Sequence, residues 1–166
     1  ERCVAELTDY GVDGIVFIGG RHAELDGQLD HYRDLAAGGT PIVLVNGIAT
    51  ELQVPHVRCD EEAGARKAVT HLIRLGHRRI GCLLGAQRYI PTVRFIRGYQ
   101  ETLAAHGIAE PEGAIVDAPF TIEGGRAGAT RLLDRGCTAM ICGNDLMALG
   151  AVLLLVRAAV NSSPTR

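Results

Sequence analysis

The chain has 166 residues, 47% of them apolar and 22% charged, with a formal net charge of −2. That is enough for a single domain or two small lobes with a substantial core. The charge balance excludes a basic nucleic-acid-binding face: basic residues are dispersed, and the tightest cluster is Arg78-Arg79 beside His77. The longest apolar run, 146–156, is too short to span a bilayer, and the first residues form no apolar signal segment.

The elements follow from periodicity. Residues 14–18 and 42–45 are short, nearly continuous apolar runs of the kind found in parallel strands buried on both faces. From Asn46 to Asp60 (NGIATELQVPHVRCD) the strand-to-helix rhythm lapses, which predicts a crossing between two lobes, residues 1–59 and 60–166. Residues 61–75 carry Ala65, Ala68, Val69, Leu72 and Ile73 at helical spacing, with Gly76 placed to end the helix in a left-handed turn. A strand at 79–84 follows. Val93, Ile96, Tyr99 and Leu103 form the next helical stripe, ending at Gly107, before a strand at 114–117. Ala129, Leu132 and Leu133 form a third, ending at Gly136, before a strand at 139–142. The stretch 146–160 is apolar around nearly its whole circumference, which fits either a central core helix or a subunit interface. Alternating strands and helices predict an α/β fold with parallel sheets joined by right-handed crossovers.

Enzyme chemistry finds little support. Serine occurs only at Ser162 and Ser163, and the only lysine, Lys67, is mid-helix. Neither the dinucleotide fingerprint nor the phosphate-loop motif is present. His71 and His77 lie six apart across a helix end, which is not the one-face spacing of a helical metal site. The five cysteines are odd in number, with no Cys-x-x-Cys pair, and Cys82 and Cys142 sit inside apolar runs; reduced thiols and a cytoplasmic location are expected. No cofactor is expected.

A binding function fares better, because open parallel sheets hold ligands beyond the carboxyl ends of their strands. The residues just past those ends include Asn46, Arg88, Tyr89, Phe120, Asn144 and Asp145. Hydrogen-bonding side chains mixed with two rings suit a polyhydroxylated or planar polar ligand. Several of these residues have a second reading. Asp60, before Glu61-Glu62, fits a helix cap; Asn144 or Asp145 fits the cap of the last helix; Asn46 before Gly47 fits a turn. Phe120 fits the core, and Arg21 and His22 fit a solvated loop.

The segments VDGIVFIG, PIVLVNG, DEEAGARKAVTHLIRLGHRRIGCLLG, RGYQETLAAHG, FTIEGGRAGATRLL and CGNDLMALGAV, in this order, resemble the lactose-repressor/galactose-repressor family of bacterial transcription regulators. The resemblance runs from about Val4 to Val160. It implies a two-lobed, periplasmic-binding-protein-like effector domain that binds a sugar, nucleoside or purine between its lobes. It also implies a homodimer, DNA binding only through an amino-terminal domain absent from this chain, and truncation at both ends, leaving the amino-terminal lobe incomplete. On this resemblance Asn46 takes a ligand-binding amide or acidic position, Phe120 a ring-stacking position and Asn144 a hydroxyl-binding position, with Asp60 near the crevice. The chain departs from the family where many members place an effector-binding Arg: three residues before Gly98 it has Phe95, with Arg94 one place away. An extracytoplasmic solute-binding protein of the same fold is the alternative.

Overall fold

The computed structural model describes residues 2–47 and 52–162, and the chain divides into two compact units. The first comprises Glu1–Asp60 and Arg88–Pro91; the second comprises Glu61–Gln87 and Thr92–Arg166. The lapse in rhythm after Asn46 covers residues 48–51, which lie outside the described residues.

In the first unit, helix α1 (Arg2–Asp9) precedes strand β1 (Ile15–Ile18), and a short 3-10 turn at Arg21–Ala23 precedes helix α2 (Asp30–Ala37). Strands β2 (Ile42–Val45) and β3 (His56–Val57) complete a parallel sheet of order β1-β2-β3, with Ile15 opposite Ile42 and Leu44 opposite His56. Its core gathers Ile15, Ile42 and Leu44 with Tyr32 of α2 and Leu52. The apolar run of β1 suggested burial on both faces, but Val16 and Ile18 are 61% and 78% exposed. Alternation sends successive side chains to opposite faces, and only the face bearing Ile15 is covered by described residues.

The second unit is a three-layer sandwich. Helix α3 (Glu61–Arg74) leads into strand β4 (Ile80–Leu84), and helix α4 (Ile90–Ala105) into strand β5 (Ile115–Asp117). Helix α5 (Ile122–Asp134), strand β6 (Ala139–Cys142) and helix α6 (Asp145–Ser162) follow. The parallel sheet has order β5-β4-β6, so β4 is central and every residue of it is buried. Its alternate residues serve two cores. Ile80, Cys82 and Leu84 pack with Ala65, Val69 and Ile73 of α3 and Ile96, Tyr99 and Leu103 of α4. Leu83 packs on the other face with Val116, Leu132 and Met147. Each large buried aliphatic side chain contributes about 1.5–3 kcal/mol relative to exposure.

The predicted helix stops are real. Gly76 has φ +93°; its N–H donates to Ile73 O at 3.0 Å and the N–H of His77 to Leu72 O at 3.1 Å, the paired bonds of a Schellman closure. The same pair of bonds ends α4 and α5. The basic connector after Gly76 is also structural. Arg79 Nε donates to Gly136 O at 2.9 Å and its Nη2 to Arg135 O, satisfying carbonyls at the end of α5, while Arg135 Nη1 donates to Gly113 O. These groups stand at the amino ends of the strands, opposite the end where ligands bind in such sheets.

Helix α6 is neither wholly core nor wholly surface. Met147 and Ala151 are buried, and a Cβ on Gly150 would stand 2.0 Å from Ile122 O, so α6 crosses α5 backbone to backbone. Leu146, Leu149, Val152, Leu153 and Val156 are 45–55% exposed (49%, 45%, 53%, 51% and 55%) and form an uncovered apolar stripe.

Candidate ligand-binding site

In the second unit, three loops meet at the carboxyl ends of β4, β5 and β6. Phe120, 44% exposed, lies across two of them: a Cβ on Gly85, just past β4, would stand 2.2 Å from its Cζ, and one on Gly143, just past β6, 3.2 Å from its Cε1. Glycines at both places let the ring approach the backbone closely, leaving part of it to solvent. Thr121 then starts α5 as its N-cap, its Oγ1 accepting the Gly124 N–H at 3.0 Å. Asn144 Oδ1 accepts the Met147 N–H at 2.9 Å and so caps α6. The cap uses the carbonyl half of the carboxamide; the Nδ2 half is the part a ligand would engage. Asp145 is the exposed first residue of α6, where a carboxylate is favoured by the helix dipole.

Two charged side chains lie deeper. A Cβ on Gly98 would be 2.5 Å from Glu62 O, so α4 packs hard on the first turn of α3. This brings Arg94 Nη1 to 3.8 Å from Glu61 Oε2, with side chains only 16% and 12% exposed, and neither atom has a hydrogen-bond partner among the described residues. Phe95, at the position of the expected effector-binding Arg, packs against the α3–α4 core and supplies no polar group. Asp60 is exposed and immediately precedes α3.

In the first unit, the ends of β1 and β2 carry the polar groups. Asn46 has a left-handed backbone, φ +68°, and its N–H donates to Val57 O at 2.9 Å. A Cβ on the next residue, Gly47, would stand 2.3 Å from Cδ2 of His22. His22 is therefore no solvated loop residue: it is 1% exposed beneath this turn. Its Nε2 donates to Val45 O at 2.9 Å, and its Nδ1 lies 3.0 Å from the Tyr32 hydroxyl. Burial pushes the Tyr32 phenol above its ordinary pKa. Nothing local in the sequence signals this pair, because the partners of His22 are ten and 23 residues away.

Arg88 and Tyr89 also belong to the first unit. Tyr89 bridges to Glu24 and the Leu25 N–H donates to Arg88 O at 2.9 Å, tying the pair to the segment after the 3-10 turn. Arg88 Nη2 donates to the Tyr89 hydroxyl at 2.8 Å with its guanidinium 4.8 Å from the ring centroid, an interaction that raises the pKa of the arginine. Among the described residues no three His, Cys, Asp or Glu side chains come together to hold a metal. A groove of about 770 Å³ runs along α5 and α6 past Ile122, Arg126, Leu153 and Arg157; it belongs to helix flanks, away from the strand ends.

A family model described as periplasmic binding proteins and sugar binding domain of LacI family matches residues 2–163. The chain belongs to the LacI family. The HTH-type transcriptional regulator MalR of Streptomyces coelicolor is 40% identical over 150 residues, which cover 88% of this chain and 44% of MalR. This LacI-family chain thus spans less than half the length of that relative. The solved structure of the transcription regulator CcpA of Lactococcus lactis superposes with a TM-score of 0.81 at 26% identity, over 95% of this chain and 56% of that one. A LacI-family regulator of Enterococcus faecium with bound ribose gives 0.79 at 27% identity, over 95% and 57%. The α/β architecture with parallel sheets is that of this family, and these relatives are transcriptional regulators rather than enzymes. Among the described residues no helix is long and apolar enough to cross a membrane.

Proposed function

We propose that this chain is the effector-sensing region of a cytoplasmic transcriptional repressor. Its two units are the lobes of the sensor, and its ligand is a small sugar-like molecule, a nucleoside or a purine. The observation that carries the reading is the half-exposed Phe120 ring seated on Gly85 and Gly143 beside Asn144, at the carboxyl ends of a parallel sheet. A flat apolar face flanked by amide and carboxylate groups matches the alternating apolar and hydroxyl surfaces of a sugar ring. Asn46, Asp60, Arg88, Tyr89, Phe120, Asn144 and Asp145 are the proposed contacts. Membership of a family described by its sugar-binding domain supports the same class.

The ligand regulates by differential affinity: it shifts an equilibrium between two conformations only if it binds one more tightly than the other. DNA binding belongs to a domain outside this chain, whose own charge is −2. The uncovered stripe of α6 fits a homodimer interface, since an apolar patch of this kind marks an interaction surface. The regulator reading is favoured over an extracytoplasmic solute-binding protein because the relatives are named as regulators. Operator release from the full-length repressor by one ligand class, lost on Phe120→Ala, tests the whole reading; release unchanged by that substitution would refute the site.

A further inference from the structure

We propose that His22, whose tautomer is set by its bond to Val45 O and whose other ring nitrogen is held by Tyr32, is the positioning residue that fixes the Val45–Asn46 peptide and thereby the aim of the Asn46 side chain. Its consequence for ligand binding rests on the reading of Asn46 as a ligand contact. Val45 O is only an acceptor, so His22 Nε2 must carry the hydrogen of their 2.9 Å bond. In the neutral ring Nδ1 is then the acceptor, and the Tyr32 hydroxyl, 3.0 Å away, donates to it. Tyr32 is itself 2% exposed and clamped by Phe17, whose ring meets it edge-on at 4.9 Å between centroids. The result is a directional chain, Tyr32 O–H to Nδ1 and Nε2–H to Val45 O.

The other end of the same peptide is also held, because the Asn46 N–H donates to Val57 O at 2.9 Å. A peptide bonded at both its oxygen and its nitrogen does not rotate freely, and Asn46 leaves this one with a φ of +68°. A non-glycine residue in that region is uncommon and persists where its surroundings impose it. The close fit of Gly47 over the imidazole shows how little the turn has room to shift.

Amide hydrogen exchange of the full chain, compared across His22→Gln, His22→Asn, His22→Leu and Tyr32→Phe, tests this without any ligand. Gln places a donor near the position of Nε2, Asn near that of Nδ1, and Leu fills space with no hydrogen bond. The expected result is that exchange of the Asn46 N–H speeds at least tenfold in the Leu and Asn variants, stays near wild type in Gln, and rises by a smaller factor in Tyr32→Phe. The Leu44 N–H, which donates to Pro55 O at 3.0 Å in the same β2–β3 ladder, should keep its protection throughout. An Asn46 amide still protected in His22→Leu, or a Leu44 amide that loses as much, would overturn the proposal. Asn46→Gly separately tests the ligand reading: it keeps the left-handed backbone and removes only the carboxamide, so unchanged ribose or cellobiose binding there would count against Asn46 as a contact while leaving the His22 result intact.

Discussion

The aromatic ring of Phe120 occupies the space that a side chain on Gly85 would need: a Cβ there would lie 2.2 Å from Cζ. The end of β4 and the loop after β5 are therefore one unit. Phe120→Ala should abolish sugar binding yet destabilise the fold by only about 1–2 kcal/mol, less than the 3–5 of a fully buried ring, because nearly half the side chain is exposed. Gly85→Ala should reduce binding by displacing the ring. Urea unfolding and calorimetric titration of the two variants check both.

Asn144 caps α6 through its carbonyl oxygen, so the cap and the proposed ligand contact separate chemically. Asn144→Asp keeps the acceptor and should unfold near the wild-type urea midpoint, whereas Asn144→Ala should lose about 1 kcal/mol. If Nδ2 donates to the ligand, both variants bind it weakly. Retained binding in the Asp variant would leave Asn144 with the cap alone.

Burial pushes the Cys82 thiol and the Tyr99 phenol above their ordinary values of 9.0 and 10.0. A raised folded-state pKa means stability is fully present below the unfolded value and is lost as pH rises toward the folded one. Unfolding free energy should accordingly hold up to about pH 9 and fall beyond it. Tyr99→Phe removes the 2.8 Å bond to Ile80 O; it should cost about 1 kcal/mol at neutral pH and flatten the alkaline decline. Denaturant melts across the alkaline range would show both effects.

The exposed stripe on α6 predicts self-association. Leu149→Glu and Val152→Glu replace side chains that are 45% and 53% exposed, so folding should survive while the dimer dissociates. Sedimentation velocity over a range of concentrations reads the outcome directly; an assembly state unaltered by both changes would place the interface elsewhere.

What was legible in sequence followed the strength of the local pattern. The second unit was readable because α3, α4 and α5 carry apolar stripes and close on glycine, and its central strand is apolar at every position but Gly81. Helix α2 (DHYRDLAA) buries only Tyr32 fully, and β3 is a two-residue strand with both residues exposed, so neither produces a pattern. The strand-end loops were legible as places, since polar residues and glycines cluster after each apolar run. The cap that Asn144 makes on α6 was visible only as one of two alternatives. The seat of Phe120 on two glycines and the burial of His22 depend on partners far along the chain, where no sequence spacing encodes them.

We propose above that this chain binds a small sugar-like effector through its strand-end residues. The most direct test is calorimetric titration of the chain with ribose, cellobiose and a panel of nucleosides and purines, repeated with Phe120→Ala and Asn46→Gly. The expected result is saturable binding of one ligand class that raises the unfolding midpoint and is lost in both variants. Binding of none of them, or binding that both variants retain, would contradict it.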